Sequence, residues 1–152
     1  AFVDLVFYHA TVENWKKAIT YARRFLQGKG RESARRLSVG LLEPVLFYRL
    51  GQKETAQNRL EISLKQIQDP WYRGICEGLL GRRTLDDLKN EAGNYPENFI
   101  TLHTAFGFWS EGAGEKEKAI EHYKRALESF LDTWVEFAFV NGRLSRLRKP
   151  AA

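Results

Sequence analysis

The sequence predicts an all-α protein made of paired helices, and three observations support this expectation. Three segments share an alanine followed by packing residues four and seven positions later, the spacing of one helix face. A glycine stands five residues before two of these alanines, where a tight turn between helices would use positive φ. No segment alternates with the period of a strand, and only residues 5–10 (LVFYHA) fit either structure.

The composition is that of one globular domain. The chain has 152 residues, of which 43% are hydrophobic and 28% are charged, and its 12 glycines and 4 prolines are too few for a disordered chain. No apolar run approaches the ~18 residues of a membrane span, and no signal peptide is visible. Because the sequence contains no methionine, we expect that some segment preceded Ala1. The compartment stays open, with the cytoplasm favoured and the periplasm as the alternative if that segment was a targeting signal.

The three similar segments align without gaps and are interpreted as helices that pack closely against a neighbour. They are ENWKKAITYARRFL (13–26), GQKETAQNRLEISL (51–64) and GEKEKAIEHYKRAL (114–127). Their shared alanines are Ala18, Ala56 and Ala119. A small residue at one position of every copy indicates where two helices approach too closely for a larger side chain. Gly51 and Gly114 are predicted to make the turns, whereas the first copy has Glu13 at that position.

The interval between the second and third copies predicts a shorter, degenerate unit. Ala18 and Ala56 lie 38 residues apart, which we interpret as one repeat period with a slightly long loop, and Ala56 and Ala119 lie 63 residues apart, a little under two periods. Local signals divide this unit into two helices: Asp69 and Pro70 begin the first and Gly81 ends it, and Thr84 caps the second, with Asp87 three residues later and Gly93 as its stop.

Further helices are predicted at both ends. Residues 2–10 (FVDLVFYHA) precede the helix that contains Trp15 and are expected to pair with it. Residues 132–147 are expected to form an amphipathic helix that covers the last apolar face. Its apolar positions are Trp134, Phe137, Ala138, Leu144 and Leu147. The total is about seven to eight helices.

The third copy carries a recognisable pattern. Gly107, Gly114, Ala119, Tyr123 and Ala126 match the consensus of the tetratricopeptide repeat, and the chain resembles that family. The segment LLGRRTLDDLKNEAGN (79–94) and the repeat after it resemble a layout of bacterial members, including some outer-membrane lipoproteins. The resemblance implies one domain over 1–152, a right-handed α-solenoid of about three to four helix pairs with a C-terminal capping helix. The implied units are repeats 2–27, 33–68, 70–93 and 97–130 and a capping helix over 133–148.

The resemblance also implies a binding surface. Members of the family bind ligands on the concave surface lined by the first helix of each pair. The positions expected there are Ser38, Leu41, Val45, Tyr48, Arg49, Thr101, Thr104, Phe108 and Glu111. Because this lining is mainly apolar and hydroxylic, it suits a peptide or helix of a protein partner and disfavours the subtype that clamps an acidic terminus. Self-association and coverage of the lining by the chain's own terminal helices stay open.

No pattern of residues indicates catalysis. His9, His103 and His122 lack metal-ligand spacing, and no phosphate-binding loop or nucleophile elbow appears. Asp86 and Asp87 are interpreted as acids in the first turn of a helix. The single cysteine, Cys76, is expected to be a buried, unreactive thiol. We therefore expect a protein-interaction scaffold or adaptor that is not an enzyme and has no cofactor or metal.

The alternative function rests on charge. The net charge is +5 and the pI is about 9.4, which would suit a basic surface that binds nucleic acid or an acidic partner. The arginines considered for that surface are Arg23, Arg24, Arg31, Arg35, Arg36, Arg82 and Arg83. Because basic and acidic residues alternate at helical spacing over much of the chain, nucleic acid is the less favoured partner.

Overall fold

The computed structural model describes residues 2–28 and 32–149, and within these residues the chain forms nine helices and no strand. They are α1 (Phe2–Thr11), α2 (Trp15–Gln27), α3 (Ala34–Arg49), α4 (Lys53–Gln66), α5 (Pro70–Leu79), α6 (Leu85–Ala92), α7 (Pro96–Gly112), α8 (Lys116–Leu127) and α9 (Val135–Leu147). The all-α class is confirmed, and the ambiguous residues 5–10 are helical. The predicted count of about seven to eight helices is slightly lower than the nine found in the described residues. Across the described ranges, no helix has the length and apolar character needed to cross a membrane.

Helix starts follow the local signals in the sequence. Asp69 caps α5, since its Oδ1 accepts hydrogen bonds from the backbone N–H groups of Trp71 (2.9 Å) and Tyr72 (3.1 Å). Thr84 caps α6 in the same way, with Oγ1 accepting from the N–H of Asp87 at 3.1 Å. Each bond satisfies a donor that has no partner within its own helix. The predicted starts of these two helices are therefore confirmed.

Three turns between helices use positive φ at equivalent positions. Gly51 has φ 78° and Gly114 has φ 77°, as the sequence predicted, and neither would bring a Cβ near another residue. Glu13 occupies the corresponding place between α1 and α2 with φ 67°. A non-glycine residue is unfavourable in this region of backbone conformation. The side chain of Glu13 is held by a hydrogen bond from Arg143 of α9.

Four helices enclose the centre of the molecule. α1 contacts α3, α3 contacts α7, α7 contacts α9, and α9 contacts α1, so these four helices form a closed ring. α2 packs on α1 and α3, α4 on α3 and α5, and α8 on α7 and α9. α5 and α6 lie beside α7. The first and last helices of the described chain are thus direct neighbours.

Small residues allow close approach where the repeat pattern placed them. Ala18, Ala56 and Ala119 are all fully buried. Gly107 of α7 crosses α8 so closely that a Cβ atom there would lie 2.5 Å from Cε1 of Tyr123. The aromatic ring therefore occupies the space that a larger residue at position 107 would fill. The interpretation of these positions as sites of close helix packing is confirmed.

α3 contains an internal proline that is accommodated by a neighbouring helix. Pro44 has no N–H group, so the carbonyl of Gly40 one turn earlier lacks its usual helical donor. Ser63 of α4 supplies a replacement, because its Oγ lies 3.3 Å from that carbonyl oxygen and donates to it. A buried polar group that would otherwise be costly is thereby satisfied.

α9 packs on the core with most of the apolar residues that the sequence indicated. Leu144 is buried, and Trp134, Phe137 and Leu147 are partly buried against the core, whereas Ala138 is exposed. The buried residues of the helix are Glu136, Phe139, Val140, Arg143 and Leu144. The expectation was wrong at Ala138, and it missed Glu136 and Arg143, whose charged groups find buried partners on other helices.

Candidate functional site

The residues of the predicted groove lie together on α3 and α7, which pack against each other. Seven of the nine are buried: Ser38, Leu41, Val45, Thr101, Thr104, Phe108 and Glu111. Tyr48 and Arg49 are partly exposed at the end of α3. Tyr48 packs edge-on against Trp109 with ring centroids 4.6 Å apart, and the guanidinium of Arg49 lies 4.8 Å from the centre of the Trp15 ring.

Side chains of α1 and α9 cover this surface. Phe139 of α9 packs edge-on between Phe7 and Phe108, with ring centroids 5.7 and 5.1 Å away. Glu136 accepts a hydrogen bond of 2.6 Å from Oγ of Ser38. The remaining gap of about 20 Å³ is too small for a partner side chain. This is the arrangement expected if the chain's own terminal helices cover the lining, and partner binding by these residues stays a prediction.

A buried ionic cluster lies at one end of the covered surface. Arg143 donates to both carboxylate oxygens of Glu111, from Nε to Oε2 (3.0 Å) and from Nη2 to Oε1 (2.6 Å). It also donates to the carbonyl oxygen of Thr11 and to Oε1 of Glu13, each at 3.0 Å. The hydroxyl of Tyr123 donates to Glu111 as well. Arg143 and Glu111 are both almost completely buried, so each neutralises a charge that would otherwise be costly.

The electrostatics of this cluster favour a fixed structural ion pair. Burial tends to lower the pKa of Arg143, but its hydrogen bonds to Glu111 and the charge of that carboxylate raise it overall. Burial and the neighbouring Glu111 raise the pKa of Tyr123 well above its usual range. Both groups therefore keep one protonation state at neutral pH. The cluster stabilises the junction of α1, α7 and α9.

A partly apolar opening on the described surface lies between α6 and α8. We call it the histidine cleft; it has a volume of about 500 Å³. Its lining consists of Gly78, Leu79, Leu85, Lys89, His103, Phe106, Trp109, Ser110, Glu115, Lys118, Glu121, His122 and Arg125. α6 has only eight residues and does not contact α8, which leaves this side of α7 uncovered. The cleft therefore lies where the short helix α6 leaves α7 and α8 open to solvent.

Two histidines from different helices meet in the cleft. Nδ1 of His103 on α7 lies 3.0 Å from Nδ1 of His122 on α8, so one ring donates a hydrogen bond to the other. Burial, the His122 ring and the positive charge of Lys89 lower the pKa of His103 to about 3. Burial and Lys89 likewise lower the pKa of His122 to about 4. Both rings are therefore neutral at physiological pH.

The sequence did not predict this pair. His103 and His122 are 19 residues apart, and neither shows a local motif. The aromatic ring of Phe106, one turn from His103, lies 5.8 Å from that of His122 and joins the pair to the apolar lining. Together with Phe106, the two neutral histidines form a partly apolar part of the cleft wall. Within the described residues, no group of three or more histidine, cysteine or acidic side chains could hold a metal ion.

The other residues considered for chemistry have structural settings. Cys76 is fully buried as predicted, and burial raises the pKa of its thiol to about 12, which is consistent with a thiol that stays protonated at neutral pH. Asp86 and Asp87 are exposed in the first turn of α6. The prediction that both acids lie in the first turn of a helix is therefore confirmed.

Several of the arginines considered for a basic binding surface already contact other groups of the chain. Arg36 donates to the carbonyl oxygens of Leu26 (2.7 Å) and Gly28 (3.0 Å), at the end of α2. Three other arginines form ion pairs: Arg35 with Asp4, Arg82 with Glu61, and Arg83 with Glu91. Arg23 and Arg24 are exposed, and Arg31 lies outside the described residues.

The chain was compared with known proteins at three levels. Neither the family models, the curated proteins nor the solved structures include a significant match. The histidine cleft and the covered groove are thus interpreted from this chain's own residues.

Proposed function

We propose that the chain is a non-enzymatic helical-repeat module that binds a protein or peptide partner through the histidine cleft. We further propose that its helix pairs are arranged as in a right-handed tetratricopeptide-like solenoid with α9 as the capping helix. The equivalent buried alanines and the positive-φ turns at Gly51 and Gly114 support a repeat plan. The covered state of the predicted groove supports a site elsewhere.

The observation that carries this proposal is the preformed cleft itself. Phe106 and Trp109 are partly exposed on α7, and Leu79 and Leu85 complete an apolar lining next to polar residues. A concavity with a few aromatic side chains and a polar rim is typical of a binding site for one or two partner side chains. With a volume of about 500 Å³, the cleft suits part of a linear segment better than a whole helix.

Basic-surface binding is the weaker candidate. Phosphate recognition needs arginines that are free to contact the backbone of a nucleic acid. Arg36, Arg82 and Arg83 are instead engaged with carbonyl or carboxylate oxygens of the chain. These contacts favour a solvated helical surface over a phosphate-binding one.

Peptide selection tests the proposed function. A random peptide library displayed on phage would be selected on the wild-type protein, and enriched peptides would be measured again by fluorescence anisotropy. In the variant Phe106→Ala the apolar lining is truncated, so binding should weaken by roughly tenfold or more. The helical circular dichroism and melting of each variant would show that it is folded.

Phe130→Ala is the matched control. Phe130 is 82% exposed and does not line the cleft, so the same truncation there should leave peptide affinity unchanged. Equal affinity of the enriched peptides for the wild type and Phe106→Ala would move the site away from the cleft. Failure to enrich any peptide would contradict the binding function.

A further inference from the structure

The charges that line the histidine cleft are unbalanced. Three cations, Lys89, Lys118 and Arg125, face two carboxylates, Glu115 and Glu121. Lys118 is paired with Glu115, and Arg125 lies 3.5 Å from Glu121. Lys89 forms no ion pair with any residue in the described parts of the chain. One positive charge is therefore uncompensated beside the apolar lining.

The two histidines do not change the net charge of the cleft. His103 and His122 are neutral at physiological pH, and the positive charge of Lys89 contributes to the lowered pKa of both rings. Lys89 therefore lies close enough to act on the interior of the cleft. Its field attracts an anionic group and repels a cationic one. Neighbouring apolar surface at Phe106 would be buried by the same ligand.

We propose that the ligand of the histidine cleft is an acidic linear segment of a partner protein, in which an apolar side chain packs against Phe106 and a nearby carboxylate pairs with Lys89. This inference rests on the proposed function and specifies the class of partner. A nucleic acid fits less well. If one of its phosphates paired with Lys89, the carboxylates of Glu115 and Glu121 in the cleft would repel the neighbouring phosphates. A peptide can place a single carboxylate where it is needed.

The size of the expected effect follows from the exposure of Lys89. Its side chain is exposed, and ion pairs of this kind contribute about 0.2–1 kcal/mol. The upper part of this range corresponds to a gain in affinity of roughly two- to fivefold from the carboxylate, with most of the remaining affinity coming from apolar contact. Because exposed charges are screened by salt, this advantage should shrink as ionic strength rises.

Two matched peptide arrays test the proposal. Every peptide carries fluorescein and a central leucine, phenylalanine or tryptophan; one array has aspartate or glutamate beside it, and the other has asparagine or glutamine. Acidic peptides should bind the wild type more tightly by roughly two- to fivefold. Lys89→Gln should abolish the difference and Lys89→Arg should retain it. Lys16→Gln, which removes an exposed lysine of α2 that does not line the cleft, should also retain it.

Imidazole NMR signals locate the bound peptide. An acidic peptide in the cleft should shift the signals of His103 and His122 and leave that of His9, which lies on α1 beside Tyr21, unchanged. A shift of His9 alone would overturn the proposed location.

The outcomes separate the two proposals. If acidic and amide peptides bind equally and Phe106→Ala weakens both, the acidic ligand is excluded while peptide binding is retained. An acidic advantage that persists in Lys89→Gln would assign the attraction to another basic surface and overturn the proposal. If neither array binds, the proposed function fails together with this inference.

Discussion

Arg143 of α9 donates a hydrogen bond of 3.0 Å from Nη2 to Oε1 of Glu13, which lies 130 residues earlier in the chain. Glu13 is also the residue that adopts φ 67° in the turn between α1 and α2. The same guanidinium binds the buried carboxylate of Glu111 on α7. One cation thus connects both ends of the described chain to a central helix.

Replacing Arg143 should therefore destabilise the fold. Arg143→Ala leaves the carboxylate of Glu111 buried with only a distant cation, Arg49, whose Nη1 lies 3.9 Å from Oε1. The free energy of unfolding should fall by roughly 3–5 kcal/mol, as for other broken buried ion pairs. Urea unfolding would measure it. Arg146→Ala, on an exposed position of the same helix, should change stability by about 0.5 kcal/mol or less, and equal losses for the two variants would contradict the buried cluster.

The histidine pair should make the fold sensitive to acid. The folded-state pKa values of about 3 for His103 and about 4 for His122 lie below the ordinary value of 6.5. The unfolded chain therefore binds more protons below about pH 6.5, and stability should fall by up to about 1.4 kcal/mol per pH unit for each histidine. Urea unfolding at a series of pH values would measure the slope, which should decrease in His103→Gln and persist in His9→Gln.

Glu136 opposes this effect. Burial raises its pKa in the folded protein above 4.5, so the folded state retains a proton that the unfolded chain releases. Its contribution to stability is present at low pH and is lost as pH rises through the raised value. Glu136→Gln should therefore steepen the loss of stability on acidification. A shallower slope in that variant would contradict the assigned direction.

Gly107 should not tolerate even one added carbon. The Cβ of Gly107→Ala would lie 2.5 Å from Cε1 of Tyr123, whose hydroxyl binds Glu111. We expect a loss of roughly 1–3 kcal/mol as the ring is displaced. Gly40→Ala is the matched control, since its Cβ would meet only Cδ1 of Ile67 at 3.9 Å. Better helix propensity should stabilise that variant by about 0.5–1 kcal/mol, and thermal melting would separate the two outcomes.

Overpacking should also reveal the close approach at Ala119. Ala119 is fully buried on α8, so Ala119→Leu should destabilise the fold by roughly 1–3 kcal/mol. Ala138→Leu makes the same change at an exposed position of α9 and should have little effect. Unchanged melting of Ala119→Leu would contradict the packing of α8.

Much of the fold was predictable because its signals are local. The caps at Asp69 and Thr84 act on N–H groups two or three residues away, and the positive φ at Gly51 and Gly114 depends on the turn itself. The two buried charges of α9 could not be predicted in this way. Their burial depends on Ser38 and Glu111, which pair with Glu136 and Arg143 from distant parts of the sequence.

The candidate site was harder to predict than the fold. The predicted groove residues do lie together on α3 and α7, but the spacing of apolar residues along the chain does not show which other helices pack over them. The histidine pair also depends on two helices crossing. The sequence held one indirect signal of the histidine pair. Gly107 and Tyr123 both match the repeat consensus, and their contact also places His103 on α7 next to His122 on α8.

The contact between α1 and α9 changes how the molecule should come apart. In an open row of helices each element touches only its neighbours, so either end can peel away first. In this chain α1 and α9 pack on each other, so neither can unfold without exposing the other to solvent. Amide hydrogen exchange should therefore show similar protection in both helices. This contact joins residues that are more than a hundred positions apart in the chain. Forming it should slow folding relative to a helical bundle that has only local contacts.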